Sequence, residues 1–207
     1  MLLLVRNPCE AATGRSNPDK DTKLFTMYKA VSGIFCNFAP RNTAIPMRLK
    51  KLSLLHFKNI ARQELEFCRG VNCLVGDNGA GKTNVMDAIY YLSMCKSSLP
   101  MTDTQSIRHG EEGFLVEGQY VSDEEKNERI VCSFTRKGGK VLKRNGKEYE
   151  RLADHVGLVP AVIVSPADNA LISDAAEERR RYLNACISQL DRPYLANVMR
   201  YNAVLAE

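Results

Sequence analysis

Three observations predict an α/β fold for this chain. Residues 76–83 match the G-x-x-x-x-G-K-[ST] pattern of a phosphate-binding loop. A short apolar stretch, residues 71–75, precedes this loop as an expected buried strand, and apolar residues recur at helical spacing after residue 85. Residues 114–148 alternate between apolar and polar side chains, which predicts an antiparallel β-lobe inserted after the helix.

The fixed positions of the loop each have a chemical role in holding a polyphosphate. Glycines let the backbone approach the phosphates, and the loop amides and the helix N-terminus attract an anion. Lys82 is expected to reach the β- and γ-phosphates, and the Thr83 hydroxyl to bind Mg²⁺. Nucleoside triphosphate binding is therefore favoured over an ordinary glycine-rich turn. The predicted ligands are a nucleoside triphosphate and Mg²⁺, held by Gly76, Asp77, Asn78, Gly79, Ala80, Gly81, Lys82, Thr83 and Asn84.

The first 46 residues differ in character from the rest of the chain. They show no sustained hydrophobic period, and Pro, Asn, Ser and Thr interrupt them throughout. Met47 directly follows Pro46 and opens a regular alternating pattern. Our interpretation is that Met47 is the functional start and that residues 1–46 are a poorly structured extension, either mispredicted or dispensable. A targeting peptide is the alternative, although the stretch is not strongly Arg-rich, amphipathic or free of acids.

Alternation from Met47 predicts two strands joined by a bend at residues 57–60. Residues 95–112 are polar and Pro-broken, which indicates an exposed connector. The almost entirely apolar residues 158–164 are typical of a central strand. Two helices are predicted after it, from about residue 175 and from Pro193. Their expected apolar, buried sides carry Tyr182, Leu183, Cys186, Ile187 and Leu190, and Leu195, Val198, Met199, Ala203 and Leu205.

Composition excludes several classes of protein. The net charge is only +5, so any basic surface for nucleic acid has to be local. Seven scattered cysteines without a C-x-x-C pair argue against a zinc site and favour reduced thiols in the cytoplasm. No apolar run approaches the ~20 residues that span a bilayer, so no membrane partner is expected.

A predicted hairpin gathers six cations, and one helical carboxylate lies near the loop. The cations could contact DNA phosphates, or they could simply protect an edge strand from aggregation, which is slightly favoured because no aromatic residues alternate with them. Asp87, one turn past Thr83, could assist Mg²⁺ through water or be a solvated helix acid. The candidate DNA-binding residues are Arg136, Lys137, Lys140, Lys143, Arg144 and Lys147.

Several motifs in order resemble the RecF family of bacterial DNA replication and repair ATPases, of the ABC/SMC-like superfamily. The resemblance covers about residues 47–207. Its motifs are the opening Met-Arg-Leu-Lys-Lys-Leu, His-Phe-Lys-Asn at 56–59, the phosphate loop continuing to Tyr90, Ser-Pro-Ala-Asp at 165–168, and Arg-Arg-Arg-Tyr-Leu at 179–183. Lys58 stands where Arg is usual in the family, and Asn184 replaces a usual Asp. The resemblance implies that Lys58 and Asn59 lie at a strand bend near the nucleotide and help to bind it, and an exposed turn is the equally favoured alternative.

The resemblance implies an ABC-type ATPase core, of which these residues are the N-terminal lobe. The family's L-S-x-G-Q signature and Walker B strand do not occur in the sequence, so residues 47–207 are expected to be a lobe truncated before those motifs, which holds ATP without hydrolysing it. The complete protein would be an ATP-dependent homodimer with slow DNA-dependent ATPase activity. It would bind single-stranded and gapped or linear duplex DNA and act with other recombination mediators in repair and the SOS response. A truncated, non-catalytic fragment and a P-loop phosphotransferase are the alternatives.

Overall fold

The computed structural model describes residues 47–122, 125–164 and 176–205. The predicted extension at residues 1–46 and the Ser-Pro-Ala-Asp motif at 165–168 lie outside these ranges. Within these ranges, six strands and three α-helices follow in chain order: β1 (Met47–Phe57), β2 (Ile60–Glu66), α1 (Lys82–Met94), β3 (Gly113–Ser122), β4 (Asn127–Thr135), β5 (Gly139–Arg144), β6 (Lys147–Glu148), α2 (Ala176–Ser188) and α3 (Arg192–Leu205).

All six strands form one antiparallel sheet in the order β2-β1-β3-β4-β5-β6. The α/β class and the antiparallel lobe are thus confirmed, and the lobe continues the N-terminal hairpin, because β1 lies between β2 and β3. Helix α1 begins at Lys82, as the motif predicts. The strongest turn signal is also confirmed: Asn145 and Gly146 join β5 to β6 with φ of 50° and 85°, the left-handed values that this dipeptide favours.

One face of the sheet packs against α1 and forms the core. Phe57, Tyr91 and Phe114 meet edge to face, with ring centroids 5.2 to 5.8 Å apart. The neighbouring strands contribute alternate residues to the same face, because side chains in a strand point to opposite sides at every step. These buried residues include Leu52, Leu54, Val116, Ile130, Cys132 and Leu142.

The two apolar segments predicted as buried strands are not strands in this structure. Apart from a single bridge residue at Val71, residues 71–75 and 158–164 are irregular, and the exposed fractions of Val75 and Val164 are 91% and 60%. A strand forms where a neighbour takes up its backbone N–H and C=O groups. The sheet in the described ranges supplies no such neighbour for either segment.

The connector at residues 95–112 is less exposed than its composition predicts. Ser106 and Ile107 are buried, and Ile107 forms a β-bridge with Phe57. The backbone N–H of Lys58 donates to Ser106 O at 2.8 Å, and that of Arg108 donates to His56 O at 2.8 Å. The connector therefore closes over the bend between β1 and β2, which makes it part of the wall around that bend.

Helices α2 and α3 occur where they are predicted, but their apolar stripes are not buried. Leu183, Leu190 and Met199 are about half exposed, and α3 has no buried residue at all. Helix propensity and the Asp191 side chain, which accepts the N–H of Tyr194 at 2.9 Å, are sufficient to start α3. The prediction of a buried side was wrong because, within the described ranges, the two helices contact mainly each other, and this contact does not bury their apolar sides.

Gln189, just after α2, joins the helical pair to the rest of the molecule. Its side-chain amide accepts the N–H of Ala161 at 2.8 Å and donates to the Ala161 carbonyl at 3.2 Å. It thereby pairs with the backbone of the irregular segment as a strand neighbour would. Its backbone carbonyl lies close against Gly157, whose φ is +91°. Among the helices described, none is long and apolar enough to cross a membrane.

Candidate nucleotide-binding site

Residues 76–80 form an exposed loop, and through the buried Gly81 the loop leads directly into α1. Gly79 and Gly81 have φ of 83° and 93°, a left-handed conformation that is nearly free only for glycine. Gly81 is also the residue before the helix, so the first free N–H groups of α1 face the loop. Lys82 Nζ donates to the carbonyls of Gly76 and Asp77 at 2.6 and 2.7 Å. One lysine thus spans the loop and keeps its positive charge at the loop surface.

Asn59 contacts the loop from the opposite side. Its amide donates to Gly79 O at 2.8 Å, and its Oδ1 accepts from Asn84 Nδ2 at 2.7 Å. A Cβ at Gly81 would come within 3.0 Å of Asn59 Oδ1, so glycine is needed there for packing as well as for φ. The resemblance predicted Asn59 near the nucleotide, and the structure brings it onto the phosphate loop.

Lys58, the other residue predicted at this bend, points into the molecule. Its Nζ lies 2.6 Å from Asp87 Oδ2, and the two side chains are 6% and 0% exposed. Asp87 also accepts the Ser97 hydroxyl at 2.8 Å and the Ser98 N–H at 2.6 Å. Both interpretations of Asp87 from the sequence, a water-bridged Mg²⁺ ligand and a solvated acid, were therefore wrong. No local pattern reveals this pair, because its partners are 29 residues apart.

The residues present fit ATP and Mg²⁺. Gly79 and Gly81 have the positive φ that anion-binding loops use to direct backbone N–H groups at a ligand. The Thr83 hydroxyl, a hard oxygen ligand of the kind Mg²⁺ prefers, is exposed at the start of α1. Within the described ranges, no group of three or more His, Cys, Asp or Glu residues could hold a metal by itself. A metal at this loop would thus depend on Thr83 together with phosphate oxygens.

The C-terminal end of α1 is tied to the sheet by polar side chains. Lys140 donates to the Cys95 carbonyl at 2.6 Å and forms an ion pair with Asp103 at 2.8 Å. A cation at this end of a helix is favourable because the free carbonyls carry partial negative charge. Tyr91 donates a hydrogen bond to Asp103, and burial together with this bond raises the pKa of the Tyr91 hydroxyl.

Buried His155 also binds this end of the helix. Its Nε2 lies 2.6 Å from the Leu92 carbonyl, whereas its Nδ1 is buried without a hydrogen-bond partner among the described residues. Burial lowers the pKa of the imidazole, although the bond to Leu92 acts in the opposite direction. A neutral ring with the proton on Nε2 donates a hydrogen bond to the Leu92 carbonyl and leaves Nδ1 as an acceptor without a partner among the described residues.

The six cations predicted for DNA divide into two groups. Lys140 is occupied at the helix end, and Arg144 makes a two-bond contact with Glu128 at 2.8 and 2.9 Å, which raises the pKa of the guanidinium. The other four are exposed and form no ion pair in the part of the chain that the structure describes: Arg136, Lys137, Lys143 and Lys147. Sequence alone could not separate the groups, since both partners come from other strands or the connector.

Comparison with known proteins identifies the family. Residues 48–159 match the family model described as the RecF/RecN/SMC N terminal domain. The protein named DNA replication and repair protein RecF from Phocaeicola vulgatus is 47% identical over 78% of this chain and 43% of its own length. The protein of the same name from Flavobacterium johnsoniae is 45% identical over 78% of this chain and 45% of its own. The chain thus spans less than half the length of these curated relatives.

Solved structures agree with the sequence matches. A structure described as the recombination mediator protein RecF-ATPrS in the RecFOR pathway is 35% identical, with a TM-score of 0.74 over 80% of this chain and 45% of its own. A structure from a study of ATP-driven dimerization of SMC ATPases is 19% identical with a TM-score of 0.55, so it supports the fold alone. The chain therefore belongs to the RecF/RecN/SMC N-terminal domain family, and within that family it is similar to the RecF proteins.

Proposed function

We propose that this chain is the nucleotide-binding part of a RecF-type DNA replication and repair ATPase. The observation that carries the proposal is the loop at residues 76–83, with left-handed glycines, Lys82 across it and Asn59 against it. The RecF structures that include ATP or ATPrS in their descriptions are 34 to 35% identical to this chain, which supports ATP as its ligand.

In this proposal the loop amides and Lys82 bind the phosphates, and Thr83 contributes a hydroxyl to Mg²⁺. The ion would neutralise phosphate charge when bound. Asn84 holds Asn59 in place, and Asn59 in turn fixes Gly79. The site would thus be largely ordered before the nucleotide binds, which reduces the entropy lost on binding.

The remaining functions belong to the whole protein, and family membership is what supports them. We propose that the complete protein forms an ATP-dependent homodimer, binds single-stranded and gapped or linear duplex DNA, and works with other recombination mediators in the cytoplasm during recombinational repair and the SOS response. A slow DNA-dependent ATPase activity is proposed only for that complete dimer, since the family's L-S-x-G-Q signature does not occur in these 207 residues.

The exposed cations at the β4–β5 turn and beyond are the proposed DNA contact of this part. Arg136 and Lys137 lie in the turn, and Lys143 and Lys147 are exposed on β5 and β6. Cations near DNA phosphates release counterions and so favour binding at low salt.

Titration with a fluorescent ATP analogue tests the nucleotide site. We expect Mg²⁺-dependent binding by the 207-residue chain and a loss of affinity of about 100-fold in Lys82→Ala, because the variant removes a cation that contacts phosphate. Lys50→Ala, an exposed lysine on β1, is the matched control and should bind as the wild type does. Equal affinity in wild type and Lys82→Ala would overturn the proposed site.

A further inference from the structure

The ion pair between Lys58 and Asp87 joins the β1–β2 turn to helix α1 in a buried place. The Lys58 ammonium also contacts the Ser97 hydroxyl at 3.3 Å and lies 5.5 Å from the centre of the Phe57 ring. With Asp87 fully buried and both of its oxygens engaged, the pair has little freedom to rearrange. The turn is therefore pinned to the helix at one defined point.

Lys58 is the first residue of the two-residue turn that joins β1 to β2, and its backbone has the positive φ that such turns require. Its φ is +54°, a value that is uncommon for a residue with a long side chain. Such a conformation persists where surrounding interactions determine it, and it is found often at binding sites. Here the interactions are the pairing of β1 with β2, the ion pair on the side chain, and the bond from the Lys58 N–H to Ser106 O at 2.8 Å.

The residue that this turn presents to the loop is Asn59. It follows Lys58 directly, and it contacts Gly79, Gly81 and Asn84. Asn84 and Asp87 are three residues apart on α1, so they lie on the same side of the helix. The turn consequently touches the helix and loop at two adjacent points, Lys58 on Asp87 and Asn59 on Asn84.

We propose that Lys58 and Asp87 are positioning residues for nucleotide binding, whose ion pair holds Asn59 against the phosphate loop and so fixes the loop before the nucleotide arrives. The proposal rests on the loop being the ATP site. It differs from a direct role of Lys58 as a phosphate ligand, because the ammonium is already bound to a buried carboxylate.

Asp87→Asn separates the two roles. The variant keeps the Lys58 cation but removes the charge that holds it. If Lys58 is a positioning residue, the Kd for ATP rises about tenfold, as it does when groups that orient a binding site are removed. If Lys58 binds phosphate directly, freeing its cation leaves ATP affinity unchanged or increases it, and the proposal is overturned. Glu117→Gln, which removes the charge from the partly exposed pair with Arg129, is the matched control and should leave Kd unchanged.

A double-mutant cycle tests whether Lys58 acts through Asn59. We expect Lys58→Gln and Asn59→Ala each to raise the Kd for ATP and the Kd for ADP by the same factor. The double variant should lose no more affinity than the more strongly affected single variant does. Lys58→Arg should retain wild-type affinity, because the arginine side chain can form the same ion pair with Asp87. The proposal would be overturned if the fold-changes in Kd of the two single variants multiplied in the double variant. It would also be overturned if Lys58→Gln weakened the binding of ATP but not of ADP. Because Lys58→Gln retains a hydrogen-bonding side chain, it keeps the cycle measurable if Asp87→Asn does not fold.

Amide hydrogen exchange without nucleotide distinguishes failure of this proposal from failure of the ATP site. In Lys58→Gln the amides of residues 79–84 should exchange at least about fivefold faster than in wild type, whereas Glu117→Gln should leave them unchanged. Unchanged exchange would overturn the positioning role even if ATP binds. Faster exchange in a protein that does not bind ATP would overturn only the assignment of the ligand.

Discussion

Asp87 accepts four hydrogen bonds in a place that water does not reach. A buried carboxylate is tolerated only when charge and hydrogen bonds compensate for its lost hydration. Lys58 supplies the charge, and Ser97 and Ser98 supply the remaining bonds. The energetic consequence is asymmetric, because loss of one partner leaves the other charged and buried.

Asp87→Ala is expected to lower the free energy of unfolding by about 3–5 kcal/mol, since Lys58 would remain buried without a counter-charge. Urea denaturation followed by circular dichroism measures this change. Glu117→Ala, which breaks a pair whose Arg129 partner is 60% exposed, should cost no more than about 1 kcal/mol. Similar losses in the two variants would contradict a stabilising role for the buried Lys58 pair.

Helix α1 shows at the level of elements how this molecule is held together. Its first turn faces the phosphate loop, its middle packs on the sheet, and its last carbonyls are satisfied by Lys140 and His155. Both of those side chains come from segments far along the chain. The helix start is predictable from the sequence because the motif defines it, whereas the groups that close the helix end depend on tertiary structure.

The buried imidazole of His155 makes stability depend on pH. Because burial lowers its pKa below the ordinary 6.5, the unfolded chain binds the proton more readily than the folded chain does. Its stabilising effect is therefore fully present above about pH 6.5 and is lost as pH falls toward the lower, folded-state pKa. Urea denaturation at pH 7.5 and 5.5 measures the free energy of unfolding at each pH. Between these two values it should fall more in wild type than in His155→Gln, whose side chain can still donate to Leu92 O. Equal pH dependence in the two proteins would refute this assignment.

The hairpin of β5 and β6 carries a second prediction at this scale. If Lys143 and Lys147 contact DNA, replacing both with Gln should reduce the slope of log K against log[salt] by about 0.9 for each cation lost. Fluorescence anisotropy with a labelled duplex at several salt concentrations measures the slope. Lys140→Gln is the control, because its ammonium is bound at the helix end and its loss should reduce stability without changing the slope. Identical slopes in wild type and the double variant would exclude these two contacts.

At the scale of the whole molecule, the sheet with α1 is well packed, and α2 with α3 is attached to it loosely. Gln189 and its close contact with Gly157 provide much of that attachment. Regions with few buried residues open locally at a small cost in free energy. The amides of α3, which has no buried residue, should thus exchange much faster than those of α1.

Gly157→Ala should weaken the attachment of α2 and α3 to the rest of the molecule. A Cβ at this position would collide with the Gln189 backbone carbonyl, and the φ of +91° is itself strained for alanine. Limited proteolysis should cut residues 176–205 earlier than in wild type while α1 stays protected. Gly110→Ala is a matched control, because its φ is +87° with nothing within 4 Å, so that it has the same strain without the collision. Equal cleavage in both variants would show that the contact does not hold the helices.

The sequence predicted what short-range chemistry determines. Asn145-Gly146 specified a turn, alternation specified β1 and β3, and the glycines before Lys82 specified the loop and the helix start. It failed where a partner distant in the chain decides the outcome. Residues 71–75 are apolar enough for a buried strand but have no neighbouring strand among the residues that the structure describes. Asp87 has the sequence context of a surface acid, and only the fold brings Lys58 to it.

The exposure of Cys73 gives the loop a built-in attachment point for a reporter dye. This thiol lies three residues before Gly76, whereas Cys95 and Cys132 are buried, and burial raises their thiol pKa to about 11 and about 12. Maleimides react with thiolates, so those two should not compete at neutral pH. With serine at the remaining four cysteines, 9, 36, 68 and 186, a single dye at Cys73 would report nucleotide binding as a change in its emission.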